Sequence, residues 1–327
     1  MSMKAVVIHE AGGPDVLQLE QRPIPTPAAD EVLIRVKAFG LNRSEMFTRQ
    51  GHSPNVRFPR VLGIEAAGVV EACPSGQFEP GDKVASAMAG MGRDFDGGYA
   101  EYTCPKAAHT QRLTTGLEWA VVGAVPEMLQ TAHGSLFKAL KLRADDRLLV
   151  RGGTTSVGLA AAAIARNHGC FVAATTRSSS PDTAELMRRS GVEQVIVDDG
   201  HVADKVVEGG GKKFDKVLEL VGTTTLKDSL NCAVEGGIVC MTGIVGNSWS
   251  FKEFSPMDVI PHCVGLTVYS GGPAEFMETP LNDLLQQIEA GTMPVQIGKV
   301  FKIDQIVEAH DTMEKNLARG KIVVLTE

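Results

Sequence analysis

Leu149-Val150-Arg151-Gly152-Gly153-Thr154-Thr155-Ser156-Val157-Gly158-Leu159 opens as an apolar strand and passes through paired glycines. The alanine-rich stretch Ala160 to Ala165 follows, a strong helix former. A strand, a glycine turn and a helix start form the setting of a dinucleotide fingerprint. The first amides of a helix have no partner within it. They can point at a pyrophosphate, and the helix dipole adds favourable charge. Against G-x-G-x-x-G, Gly153 and Gly158 take the first and third glycine positions and Thr155 takes the second. Gly153, Thr154, Thr155, Ser156 and Val157 are therefore candidate cofactor contacts, with Thr155 and Ser156 able to offer hydroxyls. A bare tight turn is the structural alternative.

The flanking pattern favours the nucleotide reading. Phe171-Val172-Ala173-Ala174, Val195-Ile196-Val197, Lys216 to Leu220 and Gly237 to Met241 read as strands. Asp182 to Arg189 and Leu226 to Ala233 read as helices between them. Strands alternating with helices predict an α/β fold with a Rossmann-type, doubly wound parallel sheet. Residues 1–122 have another character. Val32 to Val36 and Ala67 to Glu71 are strand candidates, punctuated by Pro23, Pro25, Pro27 and Pro80-Gly81. That pattern suggests a small β-rich, barrel-like domain. The last stretch returns to that style, with helices expected at Leu281 to Ala290 and Ile306 to Leu317 and a strand at Ile322 to Leu325. The expected organisation is residues 1–122, a nucleotide domain at 123–263, and a return segment at 264–327.

Bulk properties exclude several function classes. The 327 residues suffice for two domains. A formal net charge of −7, without a Lys/Arg run, disfavours nucleic acid as a partner. No run of about 18 apolar residues predicts a membrane span. The opening Ala5-Val6-Val7-Ile8 reads as a strand, not a signal peptide, so a cytoplasmic protein is expected. The 6 cysteines form no C-x-x-C pair and read as reduced thiols.

The second strand of the nucleotide domain ends Thr175-Thr176-Arg177-Ser178. An NAD site usually carries an acidic residue near here for the ribose hydroxyls. Arg177, flanked by the hydroxyls of Thr176 and Ser178, suits a 2′-phosphate instead, which predicts NADPH. A solvated surface arginine is the alternative. Asp198, after the third strand, opposes the prediction because a carboxylate repels phosphate.

Several segments together resemble the zinc-free quinone oxidoreductase group of the medium-chain dehydrogenase/reductase superfamily. They are Met3 to Val7 with Gly12-Gly13-Pro14-Asp15, Gly40-Leu41-Asn42-Arg43-Ser44-Glu45, and Leu62-Gly63-Ile64-Glu65-Ala66-Ala67-Gly68. Pro80 to Val84, Gly97-Gly98-Tyr99-Ala100-Glu101-Tyr102 and Gly320-Lys321-Ile322-Val323 follow in the family's order. The resemblance covers nearly the whole chain. It implies a GroES-like catalytic domain made from both chain ends, with a Rossmann domain between. It implies catalytic roles for Asn42 and Glu45, and cofactor contacts from Thr131, Val221, Gly243, Ile244, Val245, Ser270, Asn316 and Lys321. It also implies a homodimer through the Rossmann domain, with Gly265 to Tyr269 as the pairing edge.

Zinc-dependent relatives carry histidine within G-H-E, where this chain has Ile64, and a cysteine near Leu41 or Asn42. Neither leucine nor isoleucine can ligate a metal. No zinc is therefore expected. The resemblance implies hydride transfer from NADPH to a quinone or a similar electrophilic carbonyl. The family often has tyrosine where this chain has Phe47, and a phenyl ring cannot act as a general acid. An enal, enone or enoyl reductase and a catalytically quiet NADPH-binding or sensing protein stand as alternatives.

Overall fold

A computed structural model describes residues 1–208 and 211–327. The chain forms two compact units. The first comprises Met1–Gln130, Gly271–Glu289 and Gln296–Glu327; the second comprises Thr131–Ser270 and Ala290–Val295. The divisions fall later than the expected 122 and 263. The reason at the second division is backbone pairing: Gly265–Val268 hydrogen-bonds alongside residues 238–241 in the parallel sheet, so the return begins only after it.

The first unit holds β1 (Ser2–Ile8), β2 (Gln18–Pro23), β3 (Leu33–Gly40), β4 (Arg60–Val61), β5 (Glu65–Ala72), β6 (Lys83–Ala87), β7 (Tyr102–Thr103) and β8 (Thr110–Arg112). The second holds β9 (Arg147–Arg151), β10 (Phe171–Thr176), β11 (Gln194–Val197), β12 (Phe214–Glu219), β13 (Ala233–Met241) and β14 (Gly265–Val268). The chain end returns β15 (Ile297–Lys302) and β16 (Lys321–Leu325) to the first unit.

In the first unit, a three-stranded sheet runs β2-β1-β4, and a larger one runs β15-β16-β3-β5-β6-β8 with β7 beside β3. β1 and β3 bury Val6, Val7, Ile8, Val36 and Phe39 in one core with Tyr99, Ile322 and Val324, and a register shift between Val36 and Ala38 breaks strict alternation along β3. The short helix α1 (Arg43–Arg49) follows β3 directly.

In the second unit, the strands run β11-β10-β9-β12-β13-β14, and every pairing is parallel. In chain order this is 3-2-1-4-5-6, whose direction reverses between β9 and β12. Helices α2 (Ser156–Asn167), α3 (Pro181–Arg189), α4 (Val202–Glu208) and α5 (Thr223–Asn231) connect the strands. Leu149, Ala173, Val217 and Val239 pack on α4 and α5 residues such as Val202 and Leu230. The alternate residues Leu148, Val150, Val172 and Ala174 are equally buried, as a sheet covered on both faces requires. Two further helices, α6 (Leu281–Glu289) and α7 (Ile306–Glu314), belong to the first unit.

Candidate functional site

The glycine turn of the second unit joins β9 to α2. The left-handed residue is Gly152, at φ +86°, rather than Gly153. Gly153 is required for closeness: a Cβ there would lie 2.6 Å from the Ala174 Cβ. At Gly158 a Cβ would lie 2.7 Å from the Gly152 carbonyl oxygen. Both glycines thus let the helix start sit against the strand ends. Thr155 is the N-cap of α2. Its Oγ1 donates to the Gly152 carbonyl at 2.9 Å and accepts from the Gly158 amide at 3.0 Å. This corrects the expectation that the Thr155 hydroxyl is available to phosphate, because the turn itself uses it. Thr154, Ser156 and Val157 stand half-buried beside it.

Arg177 is exposed and immediately follows β10. Its neighbours' hydroxyls serve the local turn. Thr176 Oγ1 accepts from the Ser178 amide at 3.1 Å, and Ser178 Oγ accepts from the Ser180 amide at 3.1 Å ahead of α3. In both bonds the hydroxyl is the acceptor, so these turns do not use its O–H as a donor, and the guanidinium adds the positive charge that suits an anion. The objection raised by Asp198 is also corrected. Its carboxylate accepts from Arg151 Nε at 2.7 Å and from Nη2 at 2.8 Å, a bidentate pair. Burial pushes the Asp198 carboxyl up, but the Arg151 hydrogen bonds and charge outweigh it and hold the group below its ordinary range.

Arg151 is fully buried, and it was not among the expected site residues. Its Nη1 also pairs with Asp228 and donates to Ser229 Oγ at 3.3 Å. Asp228 in turn accepts the Val202 and Ala203 amides at 2.9 and 3.2 Å, capping α4. Glu219, buried at the end of β12, accepts the Val221 and Gly222 amides at 2.6 and 2.9 Å and the Ser229 hydroxyl at 2.5 Å. Burial raises its pKa. The turn carrying Val221 is thus held from below. Gly243 sits against it, since a Cβ there would lie 2.8 Å from the Leu220 Cα. Gly243, Ile244 and Val245 are half-buried after β13, and Ser270 is exposed after β14. These positions lie at the carboxyl ends of parallel strands, where ligands of such sheets bind. Thr131 is half-buried, on the helix Pro126–His133. A charged residue ending an apolar strand, as in Leu148-Leu149-Val150-Arg151 or Val217-Leu218-Glu219, was the available signal for this network.

In the first unit, Asn42 starts α1 in a capping box with Glu45. Glu45 accepts the Asn42 amide and the Ile64 amide, each at 3.0 Å. The Asn42 Nδ2 donates to Glu65 Oε1 at 2.9 Å and to Glu45 Oε1 at 3.3 Å. Its Oδ1 accepts from Lys321 Nζ at 2.6 Å. Lys321 Nζ also lies 3.0 Å from Glu65 Oε1 and 3.9 Å from Glu127 Oε2. The amide expected at the reacting centre is therefore engaged on both its nitrogen and its oxygen. The Lys321 ammonium, expected at the cofactor, lies inside this buried knot. Burial lowers the Lys321 pKa, but Glu65 and Glu127 outweigh it and raise the group above its ordinary value. Burial drives Glu45 up to about 7. Asn316 is exposed after α7, at φ +56°, and its Oδ1 accepts from Arg43 Nη2 at 2.5 Å.

A catalytic zinc does not fit this donor set. Ile64 and Leu41 carry no ligand atom, and Glu65 is paired with Lys321. Among the described residues, one His/Cys/acid group has metal-compatible spacing: the exposed Glu235, His262 and Cys263. No helix of the described residues is long and apolar enough to cross a membrane.

Residues 28–115 match the alcohol dehydrogenase GroES-like domain family, and residues 190–324 match a family described as zinc-binding dehydrogenase. The mouse (Mus musculus) quinone oxidoreductase is 30% identical over 336 residues, covering 99% of this chain and 98% of that protein. A mycobacterial protein solved with NADPH is 28% identical, with a TM-score of 0.86 and 99% of each chain covered. A solved structure described as an NAD-dependent alcohol dehydrogenase is 26% identical, with a TM-score of 0.88, covering 99% of this chain and 100% of that one. With the GroES-like and Rossmann-type folds in place, the chain belongs to the quinone oxidoreductase group of the medium-chain dehydrogenase/reductase superfamily and is an oxidoreductase.

Proposed function

We propose that this chain is a zinc-independent, NADPH-dependent reductase that delivers hydride to a quinone or a similar electrophilic carbonyl. The observation that carries the cofactor reading is the exposed Arg177 at the end of β10, with Asp198 neutralised by Arg151. The NADPH-bound mycobacterial neighbour and the quinone oxidoreductase name of the mouse relative support it. The amides of Gly153, Thr154, Ser156 and Val157 would hold the pyrophosphate, and Arg177 the 2′-phosphate. Val221, Gly243, Ile244, Val245 and Ser270 would line the dinucleotide. NADPH supplies the hydride when bound, and the protein supplies orientation and electrostatics. Asn42 is held by hydrogen bonds with Glu45, Glu65 and Lys321, which fix its amide from both ends. Phe47 offers no proton, which favours a quinone, already a strong acceptor, over an enone that needs protonation at carbon. The homodimer edge would be β14, whose Val268 is 70% exposed. The natural partner would be a small-molecule substrate in the cytoplasm, without nucleic acid or membrane.

The test is NADPH oxidation followed at 340 nm with panels of simple quinones and of enones. Turnover on quinones alone is expected. Turnover on enones alone would overturn the acceptor assignment. Tight NADPH binding without turnover would favour a sensing role, and failure to bind either nicotinamide would refute the whole reading. Arg177→Asp should weaken NADPH at least about tenfold while NADH changes less than about twofold. Equal effects would remove Arg177 from the phosphate site.

A further inference from the structure

We infer that Arg151 is a specificity-determining positioning residue: it draws the Asp198 carboxylate across β10 and away from Arg177, so that the strand ends accept a 2′-phosphate. This rests on the NADPH reading above.

The argument starts from register. β11 pairs with β10 so that Val197 stands opposite Thr176. The next residues are Asp198 and Arg177, and the Asp198 amide donates to the Thr176 carbonyl at 2.7 Å. Asp198 therefore leaves the sheet one strand spacing from Arg177, about 4.8 Å. A carboxylate there has two destinations. It can turn outward, where it would pair with Arg177 and repel a phosphate. It can turn along the sheet toward β9. Here it turns inward, with one oxygen on Arg151 Nε and the other on Nη2. The Gly200 amide, at 2.9 Å from Oδ1, reinforces that rotamer.

Arg151 is placed to do this and nothing at the surface. Its side chain is wholly buried, and it faces the α4/α5 side along with Glu219, its neighbour on β12. Asp228 fixes the third edge of the guanidinium. A lysine could not reproduce the planar fork that holds two carboxylates at once. The chain thus carries an acidic residue near the ribose end of the sheet without the usual consequence of an acidic residue there.

A double-mutant cycle tests the inference. The wild type, Arg151→Met, Asp198→Asn and the double variant are titrated with NADPH and with NADH, and the ratio of the two affinities is read. Loss of folding would affect both dinucleotides; freeing Asp198 affects the ratio. Arg151→Met should lower the NADPH preference at least about tenfold, because it leaves a free charge within about one Debye length of the phosphate. Asp198→Asn should restore the preference in the Arg151→Met background, to within about threefold of wild type. With Arg151 present, the same change should alter the ratio less than about threefold. An equal effect of Asp198→Asn in both backgrounds would overturn the role of Arg151. That additive result alongside a wild-type preference for NADPH would leave the cofactor reading standing. A wild type without that preference would overturn both. If Arg151→Met does not fold, Arg151→Gln, which removes the charge and the bidentate fork but keeps a polar side chain, completes the same cycle.

Discussion

Lys321→Met should be among the most destabilising single changes in the first unit. Lys321 is 2% exposed and its partner Glu65 is fully buried. Their 3.0 Å separation corresponds to an attraction of about 5.5 kcal/mol at an effective dielectric of about 20, before desolvation is counted. Methionine fills most of the volume but leaves Glu65 as an unpaired carboxylate close to Glu45 and Glu127. Breaking a buried pair from one side costs about 3–5 kcal/mol. For a unit of this size, each kcal/mol moves the midpoint about 2–4 °C, so a fall of roughly 6–20 °C is expected. Circular dichroism melts and urea titrations would measure it. Glu65→Gln combined with Lys321→Met removes both charges and should recover more than half of the loss. A Lys321→Met loss under about 1 kcal/mol would refute the reasoning, as would a double variant that loses the sum of the singles.

Three further changes probe the same physics. Thr155→Ala removes an N-cap and should cost about 1 kcal/mol in urea unfolding. It should leave NADPH affinity within about threefold, because the hydroxyl already serves the turn; a loss above about tenfold would show that it contacts phosphate. Glu45, raised to about 7, keeps its proton in the folded unit after the unfolded chain has released one. Its contribution therefore falls as pH rises from about 4.5 to about 7, and Glu45→Gln should remove that decline. Burial, with Arg49 adding to it, drives His310 down to about 3, so the unfolded chain takes the proton first. Its contribution is lost as pH falls below about 6.5, and His310→Gln should remove that loss. The two slopes oppose each other near pH 5–6. Urea unfolding there should show stability rising with pH in Glu45→Gln and falling with pH in His310→Gln; parallel slopes would refute both assignments.

Much of the second unit was legible because period and punctuation agree there. The helix expected at Asp182 to Arg189 is found at Pro181–Arg189, started by a proline that suits a first helical turn. The helix expected at Leu226 to Ala233 lies earlier, at Thr223–Asn231. Its start follows Gly222, at φ +108°, and apolar periodicity does not report such a backbone turn. Apolar runs announced β9 and β12, but not the partners of the charges ending them. Arg151 meets Asp198 and Asp228 across 47 and 77 residues of chain. Such pairings arise only once parallel strands are in register. The same holds for Lys321, whose contact with Asn42 spans 279 residues. Sequence marked Lys321 and passed over Arg151, and it could not show that either charge is consumed internally.

The short motifs that carry the family resemblance form one packed object. Gly63, at φ +105°, has no room for a Cβ, which would lie 2.7 Å from the Tyr99 amide. Gly97 and Gly98 press on the Gly63 and Glu65 carbonyls so closely that any side chain would collide with them. Gly40 leaves space for the ion pair, since a Cβ there would fall 2.5 Å from Glu65 Oε1. The G-L-N, G-x-E, G-G-Y and G-K-I segments are thus one requirement read four times: backbones close enough to enclose Glu65, Lys321 and Asn42 together. Such a requirement constrains the scaffold strongly and the acceptor weakly. The proposed choice of acceptor would then rest on side chains outside these contacts. Phe47, on α1, is one of them: it packs edge-on to His52, in the helix whose N-cap, Asn42, belongs to this buried knot.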